Sequence, residues 1–141
     1  MNKAANPIPQ GKYVPATRSA NIIVTAGMTP RENGKLIFEG EVKLDEAFET
    51  YKDAVRQSAK NALVAAQNML NEGEKIAQIM SVTVYINVEK GYTKHSKIAD
   101  FASEYFCEIL GSAGVAARTS IGVESLPGNA PCEISIKAVC E

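Results

Sequence analysis

Two residues of opposite charge stand near the starts of the last two apolar runs, and their types suit chemistry on a small anion. Arg118 lies in the run ARTSIGV, and Glu133 lies in the run CEISIKAV. A guanidinium group forms a planar fork that matches a carboxylate, and a glutamate can act through water as a general acid or base. If the two side chains face one cleft, they could bind a small carboxylate and process the carbon beside it; if they face water, they are ordinary surface charges.

The alternation of side chains along a strand assigns these residues to faces. In the final run, alternate positions from Cys132 onward form an apolar row, and Glu133 belongs to the opposite, polar row. In the preceding run, Arg118, Ser120 and Gly122 share one face. Glycine inside a strand often marks a close approach of another group, and a serine hydroxyl can hold water or a polar substrate atom. We therefore expect these three residues to line a small cleft.

The rest of the chain must supply the elements that position this cleft. Short β-branched runs and turn residues predict three early strands, with a turn at Asn33-Gly34. Apolar residues at steps of three and four predict two helices, and an unbroken apolar run between them predicts a strand buried on both faces. The predicted segments are strands at 13–18, 22–27 and 35–40, a helix that opens near Asp45-Glu46 and closes at Gly73, a strand at 76–88, a helix at 93–110 ended by Gly111, and the last two strands at 117–123 and 132–140.

This order, β-β-β-α-β-α-β-β, predicts an α+β fold in a single domain that spans residues 1–141. Elements mixed in this way favour one mixed sheet with both helices packed on one face. The second face of the sheet then has no cover within the chain. We expect a partner subunit to cover it.

The composition weighs against several classes of protein. The net charge is −1, so no basic footprint for nucleic acid or an anionic membrane is visible. No apolar run approaches the roughly 20 residues of a membrane span. Three cysteines without C-x-x-C spacing and one histidine, His95, predict no metal site. The amino-terminal residues contain no apolar signal region, so we expect a cytoplasmic protein with reduced thiols and His95 at its surface.

Three segments carry a resemblance to a known family. The segments GKYVPATRSANIIVTAGMTP, VTVYINV and ARTSIGVESLPGNAPCEISIKAV resemble the RidA/YjgF/YER057c/UK114 family, in the expected order and nearly end to end. The tail is most similar to a divergent branch described as YjgF-like or endoribonuclease L-PSP. The resemblance implies a chorismate-mutase-like fold and a homotrimer with ligand clefts between subunits. It also implies hydrolysis of 2-imino or 2-enamino acids to 2-oxo acids and ammonia, without a metal or organic cofactor.

The resemblance also implies roles for individual residues. Arg118 matches the arginine that grips the substrate carboxylate, and Glu133 matches the acidic residue that positions or activates water. Tyr13 matches an aromatic residue at the cleft mouth, and Gly27 matches the glycine after the second strand. Ser120, two residues after the arginine, completes the predicted substrate-binding set.

Three departures from the family pattern leave other functions open. Ser120 stands where active deaminases often have cysteine, Ala26 stands where they often have serine, and no asparagine occurs near Asp100 and Phe101 in the second helix. The first alternative is therefore a non-catalytic metabolite-binding or regulatory protein that kept Arg118. The second is an endoribonuclease, which the absence of a basic stripe disfavours.

Overall fold

A computed structural model describes residues 3–141, and a five-stranded mixed sheet forms its centre. The strand order is β1-β2-β7-β5-β6, with β5 and β6 parallel and the other neighbours antiparallel. This architecture confirms the predicted α+β class. The elements are β1 (Ala16–Ser19), β2 (Ile22–Thr25), β3 (Arg31–Glu32), β4 (Lys35–Leu36), α1 (Lys52–Gln67), β5 (Ile76–Asn87), α2 (His95–Leu110), β6 (Ala117–Val123) and β7 (Cys132–Cys140).

Both helices pack on one face of the sheet, as predicted. Helix α1 lies over β7 and β2, and helix α2 lies beside α1 over β6 and β5. The predicted apolar stripe of α1 is buried, and its alanines at 59, 62 and 66 bring the helix backbone close to the sheet. On the sheet side, Ile134 and Ile136 of β7 and Val84 of β5 are buried beneath the helices. The hydrophobic core therefore lies between the helix layer and this one face.

The third predicted strand does not belong to the main sheet. Lys35–Leu36 pairs only with Arg31–Glu32, in a two-residue hairpin around the predicted Asn33-Gly34 turn. Both turn residues have positive φ, 54° and 82°. The prediction of a sheet strand at 35–40 was wrong because the backbone after Leu36 bonds to loop segments instead. The Ile37 N–H donates to the Pro30 oxygen at 3.0 Å, and the Gly40 N–H donates to the Asn129 oxygen at 2.8 Å.

The first helix is shorter than predicted at both ends. A 3₁₀ turn over Phe48–Tyr51 precedes α1, so the helix does not open at Asp45-Glu46. The reason is that hydrogen bonds hold the backbone at Lys43 and Leu44, before the turn, in a non-helical conformation. The Lys43 backbone N–H donates to the Tyr51 hydroxyl at 2.8 Å, and the Leu44 N–H donates to Glu89 at 2.6 Å. At the other end, α1 stops at Gln67, and Gly73 lies instead in the turn before β5.

The central strand β5 is covered on one face only within the chain, which corrects the prediction that it is buried on both. Val82, Val84 and Ile86 are buried under the helices, whereas the alternate residues at 81, 83 and 85 remain partly exposed. The difference arises because residues 3–141 form no second layer of helices. The uncovered face also carries exposed apolar side chains on other strands, namely Ile22, Val24 and Ile121.

A buried glycine controls how the turn after α2 packs back onto the helix. A Cβ atom at Gly114 would overlap the backbone oxygen of Phe106 and lie 2.5 Å from its carbonyl carbon. Backbone atoms cannot rotate away, so we expect Gly114→Ala to lower the free energy of unfolding by about 3 kcal/mol in urea titrations. Gly11→Ala is the control, because its Cβ would meet only the movable ring of Tyr13. Equal stability of Gly114→Ala and the native chain would contradict this packing.

Candidate functional site

Arg118, Ser120 and Gly122 lie on the helix-covered face of the edge strand β6. They pair with Val82, Val84 and Ile86 of the parallel strand β5. Paired residues of neighbouring strands point to the same face, and the β5 residues are buried beneath the helices. The three predicted cleft residues therefore face α2 rather than the open side of the sheet.

The Arg118 guanidinium is held by three side chains of α2. Its Nη1 donates to Asp100 Oδ1 at 3.0 Å and to Ser103 Oγ at 2.9 Å. Its Nη2 donates to Ser96, to Oγ at 2.8 Å and to the backbone oxygen at 3.3 Å. The arginine side chain is 18% exposed. All four N–H bonds of the two terminal nitrogens thus have partners, and an incoming anion must replace some of them.

Ser120 adds an unused polar group next to this arginine. Its Oγ is buried and has no hydrogen-bond partner among residues 3–141. A buried hydroxyl without a partner costs about 1–3 kcal/mol, so water or a polar atom of a ligand would stabilise it. Farther along the strand, the imidazole of His95 lies against Gly122, where a Cβ atom would overlap Nε2. His95 and Gly122 line a groove of about 940 Å³.

Sequence reasoning missed the α2 residues around Arg118 and placed His95 at the surface, whereas it is half-buried against Gly122. Ser96, Asp100 and Ser103 follow one another at steps of four and three. Such spacing puts them on one side of a helix. This polar stripe could have predicted that one face of α2 makes hydrogen bonds to a neighbouring group.

Glu133 belongs to a second group of residues on the open face of the sheet. A bridge between Met28 and Ile134, with N–H to oxygen distances of 2.8 and 2.9 Å, lays the segment after β2 along the start of β7. The Glu133 carboxyl consequently lies directly over Gly27, where a Cβ atom would overlap Oε2. Burial raises the pKa of Glu133 above its ordinary value.

Tyr13 completes this second group. Its side chain is 47% exposed, and its hydroxyl accepts a hydrogen bond from the Gln10 backbone N–H at 3.0 Å. Tyr13 and Gly27 line the same cavity of about 370 Å³. Gly27 is therefore next to both Tyr13 and Glu133, although Glu133 does not line this cavity, which Gln57 and Asn61 of α1 also line.

The two groups cannot meet within one chain. Val82 of β5 pairs with Arg118 on one side and with Ile136 on the other, whereas Glu133 pairs with Tyr85 of β5. They are thus two strands and three residues apart, about 14 Å between Cα atoms. Their side chains also point to opposite faces of the sheet. A cleft that contains both residues requires two copies of the chain.

Residues 3–141 lack two other kinds of feature, a cluster of metal ligands and a membrane-spanning helix. No group of three or more histidine, cysteine, aspartate or glutamate side chains is arranged to hold a metal ion. No helix in that part of the chain has both the length and the apolar character needed to cross a bilayer.

Known proteins share both the sequence pattern and the fold. A family model described as "YjgF/chorismate_mutase-like, putative endoribonuclease" matches residues 3–139. A RutC family protein of Aquifex aeolicus is 30% identical over 94% of this chain and 92% of its own length. A solved structure from Shewanella oneidensis, described as a "putative endoribonuclease", has a TM-score of 0.86, with 26% identity over 99% of this chain and 92% of that one. A protein of unknown function from Agrobacterium tumefaciens has a TM-score of 0.83, with 28% identity over 95% and 86% of the two chains.

Proposed function

The chain belongs to the YjgF/chorismate-mutase-like family, and we propose that it is a cytoplasmic homotrimer that hydrolyses small 2-imino and 2-enamino acids to 2-oxo acids and ammonia. One observation carries the proposal: a guanidinium on an edge strand lies two residues from a buried hydroxyl that has no partner in the described chain. A guanidinium suits the carboxylate of such a substrate. The Ser120 hydroxyl suits a polar atom of the same molecule.

The assembly follows from the separation of the two groups. Each subunit would contribute Arg118 and Ser120 to one cleft, and Tyr13, Gly27 and Glu133 to the cleft on its other side. The open face of the sheet supports this arrangement, because its exposed apolar side chains gain stability when a neighbouring subunit covers them. A closed ring of three copies repeats one such contact three times.

The chemistry needs a positioned substrate and an activated water. Arg118 holds the substrate carboxylate, which leaves the adjacent C2 carbon beside Glu133 of the neighbouring subunit. The Glu133 carboxylate takes a proton from water as its oxygen bonds to C2. The same carboxyl then returns the proton to nitrogen, and the C2–N bond breaks to release ammonia. As the carbonyl of the 2-oxo acid forms, the Glu133 carboxylate takes the remaining proton of the C2 hydroxyl and passes it to solvent. An enamino acid first takes a proton from solvent at C3, which converts it to the iminium form that water attacks. No electrons are gained or lost, so the reaction requires no redox cofactor. The raised pKa of Glu133 makes it a stronger base than an ordinary glutamate.

The direct test is to supply freshly generated 2-aminoacrylate and to follow pyruvate as its semicarbazone, together with ammonia. We expect the protein to accelerate pyruvate formation, and we expect a trimer by light scattering of the same sample. Absence of acceleration, or a monomer in solution, would contradict the proposal. RNA cleavage that is undiminished in Arg118→Ala would support instead the endoribonuclease activity in the family description.

A second candidate function is metabolite binding without catalysis. It is favoured by the contacts of Arg118, whose terminal N–H groups are all bonded to α2. An arginine held in this way could bind a carboxylate weakly without placing the ligand's C2 carbon for hydrolysis. Pyruvate binding by calorimetry, without any ammonia release from 2-aminoacrylate, would support this function over hydrolysis.

Gly27 should control activity through Glu133. An added Cβ atom would overlap Glu133 Oε2 and lie 2.7 Å from Cδ, so the carboxyl must swing away from its position. We expect Gly27→Ala to lower kcat by about 30-fold, with little loss of stability because a side chain can rotate. A double-mutant cycle provides the control. If Glu133 mediates the effect, Gly27→Ala causes no further loss in a Glu133→Gln background; additive losses would contradict this explanation.

A further inference from the structure

The carboxylate of Asp100 beside Arg118 gives the site a charge pattern that a simple anion-binding arginine lacks. Asp100 Oδ1 accepts from Arg118 Nη1 at 3.0 Å, so a negative and a positive group lie in contact at the same place. About half of the Asp100 side chain remains exposed. Part of the carboxylate is therefore open to a ligand while the rest stays on the arginine.

The contacts of Arg118 indicate which terminal nitrogen of the guanidinium a ligand can bind. The two hydrogen bonds from Nη2 to Ser96 are exposed, whereas those from Nη1 to Asp100 and Ser103 are partly buried. The exposed Ser96 contacts are the easier ones to replace, because water can solvate the released serine. A ligand carboxylate would then occupy Nη2, with Asp100 still bound at Nη1.

This arrangement penalises one class of ligand and favours another. A carboxylate on Nη2 lies close to the Asp100 carboxylate, and like charges at short range repel in a partly desolvated site. A cationic nitrogen on the carbon next to the ligand carboxylate would lie between the two negative groups. The ligand carboxylate would then face Arg118 and the ligand cation would face Asp100, so opposite charges meet at both ends.

We propose that the Asp100–Arg118 pair makes the site selective for small carboxylates with a cationic nitrogen at C2, such as iminium or ammonium acids, over the corresponding 2-oxo acids. The inference rests on the proposed function, since it names the substrate class of the same cleft. It also supplies a route for product release. Conversion of a cationic iminium to a neutral carbonyl removes the group that Asp100 attracts, and the 2-oxo acid left behind is repelled.

The test uses two ligands of one carbon skeleton, L-alanine with an ammonium group and pyruvate with an oxo group. Calorimetry should show that the native trimer binds L-alanine at least about tenfold more tightly than pyruvate. Asp100→Asn keeps the size and an acceptor for Arg118 but removes the charge, so it should weaken L-alanine and strengthen pyruvate by about tenfold each. Asp100→Ala should shift the preference in the same direction, which makes the result independent of one variant's folding.

Glu104→Gln is the matched control, because Glu104 is an exposed carboxylate on the same helix and makes no hydrogen bond or ion pair to Arg118. It changes the net charge equally and should leave the ligand preference unchanged. A native preference for pyruvate, or an unchanged ratio in both Asp100 variants, overturns the inference while Arg118-dependent binding keeps the proposed function. Failure of both ligands to bind, or binding that is unaffected in Arg118→Ala, overturns the proposed function and the inference together.

Discussion

Arg118→Ala should lower kcat/KM for 2-aminoacrylate hydrolysis by about 10³-fold, the largest change expected from any single substitution in this chain. In the proposed cleft the guanidinium binds the substrate carboxylate through Nη2, in place of the exposed Ser96 contacts. Its loss also leaves Asp100 unpaired at the mouth of the site, where the negative charge would repel the substrate. Initial rates of pyruvate formation over a range of substrate concentrations measure the effect.

Two further variants separate the loss of binding from a loss of folding. Arg118→Lys keeps the positive charge but not the planar fork, so its activity should lie between those of the native protein and Arg118→Ala. Arg56→Ala removes another arginine that pairs with α2, through the exposed Glu108, and that lies on α1 rather than on β6. It should leave activity unchanged and stability within about 1 kcal/mol. Native activity in Arg118→Ala would refute the role of the guanidinium.

Glu133→Gln should lower kcat by about 10²- to 10³-fold and change KM little. The glutamine has the same size and can still hold water through a hydrogen bond, but it cannot accept the proton that water loses during attack on C2. Steady-state kinetics of the variant therefore distinguish a base from a residue that only positions the substrate. A large rise in KM with unchanged kcat would contradict the proposed role.

The pH dependence of both activity and stability provides an independent check on Glu133. Because burial raises the pKa of this carboxyl, the acid limb of the native kcat profile should lie above the ordinary range for glutamate and should vanish in Glu133→Gln. Ionisation of the Glu133 carboxyl favours activity, but it lowers the stability of the folded state. A raised folded-state pKa contributes stability at low pH that is lost as pH rises through that pKa. At neutral pH we therefore expect Glu133→Gln to unfold at the same urea concentration as the native protein, or at a higher one.

Local periodicity in the sequence predicted the helices and the final strands well. The apolar stripe of α1 is buried as expected, and the last two runs form β6 and β7 within their predicted bounds. Predictions failed where distant segments decide the outcome. The segment at 35–40 has the composition of a sheet strand, but its backbone after Leu36 bonds to Pro30 and Asn129 instead. The start of α1 depends on Tyr51, which binds the backbone at Lys43, and no helix-start rule contains that contact.

The amino-acid sequence already shows which residues share a face, because alternation along a strand and steps of three and four along a helix are properties of the local backbone. It thus grouped Arg118 with Ser120 and set Glu133 apart from the apolar row of β7. The face that each group joins, and the residues it contacts there, depend on how the strands and helices pack. The parallel pairing of β6 with β5 turns Arg118 toward Asp100 of α2, and the bridge from Met28 to Ile134 lays Gly27 under Glu133. The physical reason is that these pairings join segments far apart in the chain, and strand order depends on the packing of the whole domain.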